Sequence, residues 1–299
     1  MKSRLKLLAH QVKCQTNNHI QDLYRTFTDK NHFDIVNQKE FRVAGLRRTG
    51  NHAVIGWIEE QHKLVGTTFH LNNVPINANP YRHKSQNLSY YFPQHQWSIE
   101  QYKEQAKGNF IERYCLIYSY EDYSLKQIFK DSFEKKHDLY LGKTAERYDL
   151  LIIRDPFNLL ASRLKNNFLP VKSKRSSFIE LWIEYAKEYL AQTNYLKHNK
   201  TCINYNLWVG DLDYRKQLAN KLDIEFTDAG LNKVRSYGGG SSFEGKKCDG
   251  EASTMDTINR WQYFVDHPVY RKLINHPELL HYSEKIFGHI TGTEIFLNK

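Results

Sequence analysis

The stretch FRVAGLRRTGNHAVIGWI, Phe41–Ile58, decides the fold that we predict for this chain of 299 residues. Phe41–Ala44 is an apolar run that predicts a buried strand. Gly45–Gly50 predicts a loop, and the apolar residues that follow Asn51 and His52 predict a helix. A strand, a glycine-bounded loop and a helix start form a cradle for phosphate, because the free N–H groups and the positive dipole end of the helix point at the anion.

This loop has nearly the spacing of a nucleotide P-loop. Gly45 and Gly50 occupy the two glycine positions of G-x-x-x-x-G-K-[ST]. Asn51 takes the place of the lysine, however, and His52 takes the place of the hydroxyl residue that binds Mg²⁺. The loop carries its positive charge on two internal arginines instead. This pattern predicts a site for a multiply charged anion.

The segment RRTGNH, Arg47–His52, resembles the 5′-phosphosulfate loop of sulfotransferases, where a Lys or Arg precedes Ser/Thr-Gly and further polar residues. Those enzymes use 3′-phosphoadenosine 5′-phosphosulfate (PAPS) as donor and release 3′-phosphoadenosine 5′-phosphate (PAP). The resemblance implies that Arg48 stabilises charge on the bridging oxygen as the S–O bond breaks. A strand-to-helix turn with two solvated arginines is the alternative. The cofactor-binding residues implied here are Arg47, Arg48, Thr49, Gly50, Asn51 and His52.

A second segment, Ile152–Arg163, has an arginine at a predicted strand end and a serine eight residues later. It resembles the sulfotransferase segment that binds the 3′-phosphate of the cofactor, which implies this role for Arg154 and Ser162. Arginine offers a fork of charged donors, and serine adds a short hydroxyl donor. An ion pair of Arg154 with Asp155 and a surface position for Ser162 are the alternatives. The matching loop on an earlier strand favours the phosphate site.

Two further segments resemble the family more weakly. Ile203–Trp208 resembles its strand-end Tyr-Glu-Asp segment, whose tyrosine lies near the adenine, so Tyr205 is implied; a tyrosine that caps a strand is the alternative. Gly238–Phe243 has the chain position of the family's late Arg-Lys-Gly loop but lacks the arginine and lysine, so a flexible surface loop is the alternative. Ala53 stands where many cytosolic members have a tryptophan that faces the adenine. The late loop implies cofactor contacts from Gly240, Ser241 and Ser242.

The pattern of apolar runs predicts an α/β fold. Strands that alternate with helices indicate a central, mostly parallel five-stranded sheet in a three-layer α/β/α arrangement. Ligands of such sheets bind beyond the carboxyl ends of the strands, which is where the candidate residues fall. The predicted strands are 41–44, 64–71, 110–119, 148–153 and 201–205.

We predict a single domain over residues 1–299. A helical N-terminal arm, residues 1–39, would pack on the core or exchange with a second subunit. Residues 72–109 lack a sustained period and predict a long irregular excursion that contributes to the acceptor site. Short C-terminal helices within 256–288 would pack on the core.

The general base is expected near the end of the third strand. Cytosolic sulfotransferases place a histidine just beyond this strand, and heparan-type members use a glutamate. Glu121 could therefore accept the proton of the acceptor, while Asp122 caps the next helix; the two roles could be exchanged. His70, at the end of the second strand, is the alternative base. All three could also be ordinary polar residues at strand ends.

Composition narrows the partners. The net charge of +10 favours an anionic partner, but basic residues are spread without a dense run, which argues against nucleic acid. The cysteines and histidines lack metal-ligand spacing, so no metal is predicted. No stretch approaches the roughly 20 apolar residues of a membrane span, and the N-terminus does not resemble a signal peptide. A cytoplasmic protein without membrane contact is therefore expected.

Together these features predict a PAPS-dependent sulfotransferase that acts on a hydroxyl or amine of a small molecule or glycan. A P-loop kinase or other nucleotide enzyme is one alternative, although Asn51 and His52 argue against it. A non-catalytic polyanion-binding protein is the other. The acceptor and the oligomeric state are not predicted.

Overall fold

The computed structural model describes residues 18, 20–27, 34–174, 176–235 and 240–296. Five strands form one sheet in the spatial order second, third, first, fourth, fifth, and all of them are parallel. This confirms the predicted α/β class with helices on a central parallel sheet. The strands are β1 (Ile35–Gly45), β2 (Thr68–Leu71), β3 (Arg113–Glu121), β4 (Lys143–Ile153) and β5 (Thr201–Asn204).

Helices connect successive strands, because parallel strands need long crossover connections. Among the described residues they are α1 (20–27), α2 (Asn51–His62), α3 (Pro80–Tyr91), α4 (Gln96–Lys107), α5 (Leu125–Ile128), α6 (Asp131–Glu134), α7 (His137–Leu141), α8 (Pro156–Lys165), α9 (Phe178–Tyr189), α10 (Tyr205–Gly210), α11 (Leu212–Lys221), α12 (Pro268–Ile274) and α13 (Pro277–Phe287).

The strand order places a topological switch point between β1 and β4. The connection after β1 leads through α2 to β2 on one side, whereas the connection after β4 leads through α8 towards β5 on the other. Open parallel sheets bind ligands in the crevice that this divergence leaves at the carboxyl ends of the strands. The loop Gly45–Gly50 and Arg154 each follow one of these two strands.

The chain divides into two compact units. The first consists of Met1–Gln38, Val74–Arg113 and Asp131–Ala145, and the second of Lys39–Asn73, Tyr114–Lys130 and Glu146–Lys299. The second unit contains the predicted cofactor segments. The single domain predicted over residues 1–299 stays a prediction.

The core of the second unit lies where α2, α10 and α11 pack against the middle of the sheet. Apolar side chains of β1 and β4 are almost fully buried there, as expected for strands that are covered on both faces. The core includes Phe41, Val43, Val54, Trp57, Ile58, Leu150, Ile152, Ile203, Trp208 and Leu222.

The prediction of an irregular excursion over residues 72–109 is wrong, because most of this segment forms α3 and α4 in the first unit. Asn79 caps α3 by accepting a hydrogen bond from the Arg82 N–H, and Pro80 occupies the first helical position. Gly108 ends α4 with φ +103°. Few residues of either helix are buried, so the apolar period that would have revealed them is weak.

The predicted N-terminal arm is also revised. Residues 35–39 belong to β1 rather than to a helix. In α1, Ile20 and Leu23 are more than 60% exposed, whereas Asp22 and Arg25 are buried, so the helix packs through its polar face. Asp22 pairs with Arg82 at 2.9 Å. The remainder of the arm, residues 1–17 included, lies largely outside the described residues.

Several predicted boundaries move. β2 begins at Thr68 because Leu64 and Val65 are exposed in the preceding turn. After the third strand, residues 125–134 form two short helices, α5 and α6, and α9 ends at Tyr189. The predicted short C-terminal helices are present as α12 and α13, and Tyr270 of α12 donates a hydrogen bond to the Phe157 carbonyl at 3.1 Å.

His62 predicts a loss of stability in acid. Its ring is buried beside Phe41 and Tyr114, and its Nδ1–H donates to the Ile58 carbonyl at 2.8 Å. Burial lowers the pKa of His62, so the folded state favours the neutral ring. The unfolded chain therefore binds the proton first, and stability falls as pH drops below about 6.5. In urea unfolding at several pH values, the free energy of unfolding of His62→Phe should fall less steeply in acid than that of the native protein. The control His281→Phe, at an exposed position, should show the native pH dependence.

Candidate active site

The loop between β1 and α2 closes tightly into the helix. The Thr49 N–H donates to the Leu46 carbonyl at 3.1 Å, and the Gly50 carbonyl accepts the N–H groups of Ala53 and Val54. Gly50 has φ +99°, and a Cβ there would collide with the ring of Tyr205. Among the described residues no side chain caps α2. Its first N–H groups therefore lack a side-chain cap among the described residues, and the anion site at this helix start stays a prediction.

A cavity of about 440 Å³ lies beside this loop in the second unit. Its described lining has a single carboxylate, that of Glu121, against a cluster of cations. Such an imbalance favours a ligand with several negative charges. The cationic residues of the lining are Arg47, Arg48, Arg154, Lys233, Arg235 and Arg260.

Arg48 lies among other cations of this cluster. Its Nη2 donates to the Gly240 carbonyl at 3.1 Å, and its own carbonyl accepts from Arg154 Nη1 at 3.1 Å. Burial, together with the charges of Arg260 and Arg154, lowers the pKa of Arg48 to about 10. Three guanidinium groups thus repel one another around one space, and a bound anion would relieve that repulsion.

Arg154 and Ser162 are in contact beside the end of β4. Arg154 is 2% exposed, and its Nη1 donates to Ser162 Oγ at 3.3 Å. Its Nη2 donates to the Thr257 carbonyl, and its guanidinium lies 5.2 Å from the ring centre of Tyr205. Burial lowers the pKa of Arg154. Its Nε finds no hydrogen-bond partner among the described residues, so a buried donor remains unsatisfied beside the cavity.

The late loop meets the cavity through Gly240 and Ser241. Ser241 Oγ accepts from Arg260 Nη2 at 2.9 Å and donates to Glu244, which pairs with Arg260 at 2.8 Å. Ser242 is not part of the described lining, although its Oγ is buried and lacks a partner among the described residues. Gly238 and Gly239 lie outside the described residues.

Sequence reasoning missed Arg260. It stands in a short 3₁₀ helix, Arg260–Phe264, near the end of the chain, where no motif surrounds it. It is 5% exposed, and its charge lies close enough to lower the pKa of Arg48. A buried arginine without a local signature can be found only once the fold brings it to the cavity.

The carboxylates of Glu121 and Asp122, at the end of β3, have different surroundings. Asp122 is fully buried with φ +63°, and its carboxylate binds the Arg163 guanidinium at 2.7 and 3.2 Å and the Arg47 N–H at 2.9 Å. The interpretation of Asp122 as a helix cap is wrong, because Ser124 caps α5. With its oxygens engaged, Asp122 fixes the backbone of the anion loop rather than facing the cavity.

The carboxylate of Glu121 faces the cavity. Its Oε1 accepts from Asn51 Nδ2 at 3.3 Å, and its Oε2 lies 3.7 Å from Arg47 Nε. His52 Nε2 lies 3.9 Å from Oε1 and 3.0 Å from Asn72 Oδ1. Glu121 and His52 are thus two adjacent groups of the lining that can take up a proton.

The structure does not place His70 in the described cavity lining. Its Nε2 lies 3.3 Å from Ser119 Oγ, and its Nδ1 lies 3.8 Å from Glu59 Oε1. Its side chain is 6% exposed. His70 is therefore turned towards α2 and β3, whereas Glu121 reaches the cavity directly.

The described lining of the cavity also includes apolar and aromatic residues. Ala53 is one of them, and the rings of Tyr205 and Trp208 stack at 5.8 Å between centres. Both residues belong to the described lining, and the Tyr205 ring also lies beside the Arg154 guanidinium. The other apolar side chains of the lining include Val209, Leu231, Val234 and Met255.

The described residues contain no group of three or more His, Cys, Asp or Glu placed to hold a metal ion. Within the same part of the chain, no helix has the length and apolar character needed to cross a membrane.

Comparisons with known proteins find distant similarity among solved structures. No protein-family model matches the chain, and no curated protein matches it. Among solved structures, the chain is similar to the crystal structure of mouse sulfotransferase SULT7A1 complexed with PAP, with 11% sequence identity and a TM-score of 0.44 over 90% of this chain and 92% of that chain. A similarity this distant assigns neither an activity nor a ligand to this chain, so both must come from the site itself.

Proposed function

We propose that this protein is a PAPS-dependent sulfotransferase. The observation that carries the proposal is the convergence of Arg48, Arg154 and Arg260 on one cavity beside an uncapped helix start. A ligand with negative charge at both ends of a nucleoside would engage the loop and the strand-end arginine together. The residues Asn51 and His52, at the positions of the P-loop lysine and hydroxyl, favour this donor over a nucleoside triphosphate.

The residues present fit the two anionic groups of PAPS. Arg47, Arg48, the Thr49 hydroxyl, which lacks a partner among the described residues, and the N–H groups of Gly50, Asn51 and His52 would hold the phosphosulfate. Arg154, with its unsatisfied Nε, and Ser162 would hold the 3′-phosphate. Tyr205 and Trp208 would lie near the adenine base of PAPS. Gly240, Ser241 and Ser242 would contact the cofactor from the late loop. Arg260 joins this set from the structure rather than from the sequence.

Each side chain of the site would have a separate role in sulfuryl transfer. PAPS, when bound, supplies a sulfuryl group on a phosphate leaving group. Arg48 holds positive charge where negative charge accumulates on the leaving phosphate. Glu121 accepts the proton from the hydroxyl or amine of a small-molecule or glycan acceptor. Asp122 and Arg163 keep the loop in place behind them.

A thermal-shift experiment tests the ligand. PAP should raise the melting temperature, because a ligand at 100 times its Kd adds about 2.7 kcal/mol to the stability of the native state. ATP with Mg²⁺ should raise it much less. An absence of any shift with PAP at millimolar concentration would remove the basis for the proposal, and a larger shift with ATP and Mg²⁺ would favour a nucleotide enzyme.

Variants of Arg154 and Ser162 test the 3′-phosphate site. Arg154→Ala should weaken PAP binding by about 1.5–3 kcal/mol, because a charged hydrogen-bond donor is lost. Ser162→Ala should weaken it less, since Ser162 acts beside Arg154. Binding of adenosine 5′-phosphosulfate, which lacks the 3′-phosphate, should change little in either variant. Calorimetric titration that shows equal losses for both ligands would place the 3′-phosphate elsewhere.

A further inference from the structure

The turn between α3 and α4 carries an exposed group of aromatic side chains. We call Ser89–Trp97 the aromatic turn; every residue in it is exposed. Tyr90 is 79% exposed, Tyr91 67%, Phe92 50% and Trp97 73%. The other four of the five tryptophans in the chain are at most 4% exposed. Contiguous exposed apolar patches on soluble proteins mark interaction sites when they are large, and these neighbouring aromatic residues are therefore a candidate binding surface.

The chemistry around these rings is neutral and polar. From Ser85 to Ile99 the sequence has no Asp, Glu, Lys or Arg, although the whole chain has a net charge of +10. The exposed polar side chains are amides, hydroxyls and one imidazole, and no Leu, Ile, Val or Met in this stretch is exposed. Amides and hydroxyls donate and accept hydrogen bonds without requiring a charged partner. The exposed polar residues are Gln86, Asn87, Ser89, Gln94, His95 and Gln96.

The backbone of the aromatic turn is held in place. The Phe92 N–H donates to the Leu88 carbonyl at 2.8 Å, and the His95 N–H donates to the Phe92 carbonyl at 3.0 Å. Gln96 Nε2 donates to the Pro93 carbonyl at 2.6 Å, and α3 packs against α4 beneath the turn. The rings of Tyr90 and Tyr91 meet edge to face at 4.8 Å. A fixed turn presents its rings with less ordering cost on binding.

We propose that the aromatic turn binds a neutral carbohydrate chain. Flat rings can pack against the C–H faces of pyranose rings, while adjacent amides bond their hydroxyls. A membrane surface fits less well, because interfacial segments pair aliphatic or aromatic residues with Lys and Arg, which this stretch lacks. The turn belongs to the first unit, whereas every lining residue of the cavity belongs to the second. The proposal therefore does not depend on the proposed function.

Tryptophan fluorescence gives a direct readout, because Trp97 is the tryptophan that acrylamide can reach. Cellohexaose or maltohexaose, at concentrations up to about 10 mM to detect weak affinity, should lower the acrylamide quenching slope by roughly two-fold or more. Tyr90→Ala and Tyr91→Ala keep the reporter and should weaken the sugar effect roughly 2- to 10-fold. Tyr263→Ala, which removes an equally exposed ring in the second unit, should leave it unchanged.

Affinity electrophoresis provides a second measurement on the full chain. Hydroxyethyl cellulose in the gel should retard the native protein and Tyr263→Ala, but not Trp97→Ala. The proposal is overturned if neither oligosaccharide protects Trp97 and no retardation occurs. It is also overturned if phosphatidylcholine vesicles protect Trp97 while the sugars do not, which would indicate a membrane surface. Protection that rises with protein concentration in the absence of sugar would indicate a second copy of the chain instead.

Discussion

Replacing Arg48 with methionine should lower turnover roughly 10²–10³-fold, because one preorganised charge at the leaving phosphate is lost. The same change should stabilise the ligand-free protein. The pKa of Arg48 is lowered to about 10 from its usual 12.5 by burial and by two neighbouring arginines, so its charged form is penalised in the fold. That penalty holds at every pH below about 10 and disappears as the group deprotonates above it. After an allowance for partial solvent screening, we expect a gain of about 1 kcal/mol.

The combination of lower activity with higher stability separates this explanation from simple damage to the fold. Arg47→Met is the matched control, because Arg47 is one-third exposed and lies 3.6–3.7 Å from Asp122 and Glu121. Arg47→Met should lower turnover less than Arg48→Met does, and it should not raise the melting temperature. Steady-state kinetics with thermal melting measure both effects. If Arg48→Met retained full turnover, or lost stability by more than Arg47→Met, Arg48 would be a structural residue.

Local spacing accounts for the neighbouring residues that the sequence predicts within the candidate site. A glycine-bounded loop after an apolar strand predicts the anion cradle, since tight turns and helix starts are determined by neighbouring residues. Arg154 and Ser162 lie eight residues apart at a strand end and in the following helix, and the structure brings their side chains within 3.3 Å. In both cases the residues that meet are close in the chain.

Residues that meet over long chain distances could not be placed in this way. Arg260 reaches Ser241 and the arginine cluster only because the late loop and the 3₁₀ helix pack together. His70 ends a strand on the expected side of the sheet, yet its side chain faces Glu59 and Ser119. The orientation of a strand-end side chain depends on the pleat and on the helix that covers it, which sequence position does not reveal. The hairpin of α3 and α4 was missed because it buries few apolar residues.

The choice of base gives the second large effect. Glu121→Gln should lower turnover by roughly 10²–10⁴-fold while PAP affinity is kept, because the amide cannot accept the proton of the acceptor. The amide still offers an oxygen to Asn51 Nδ2, which now lies 3.3 Å from the carboxylate, so the loop should keep its shape. Loss of the ion pair with Arg47 would leave that cation freer to meet an anion, and PAP binding should therefore not weaken.

Two matched variants decide between Glu121 and its neighbours. His52→Gln removes the imidazole 3.9 Å from Glu121, and His70→Gln removes one that the described cavity lining does not include. With Glu121 as base, His70→Gln should keep near-normal turnover, and His52→Gln should fall between His70→Gln and Glu121→Gln. Normal turnover in Glu121→Gln, with loss in His70→Gln at unchanged PAP affinity, would move the role to His70. Normal turnover in Glu121→Gln, with loss of turnover in His52→Gln at unchanged PAP affinity, would assign the role of base to His52. The Nε2 of His52 lies 3.0 Å from Asn72 Oδ1.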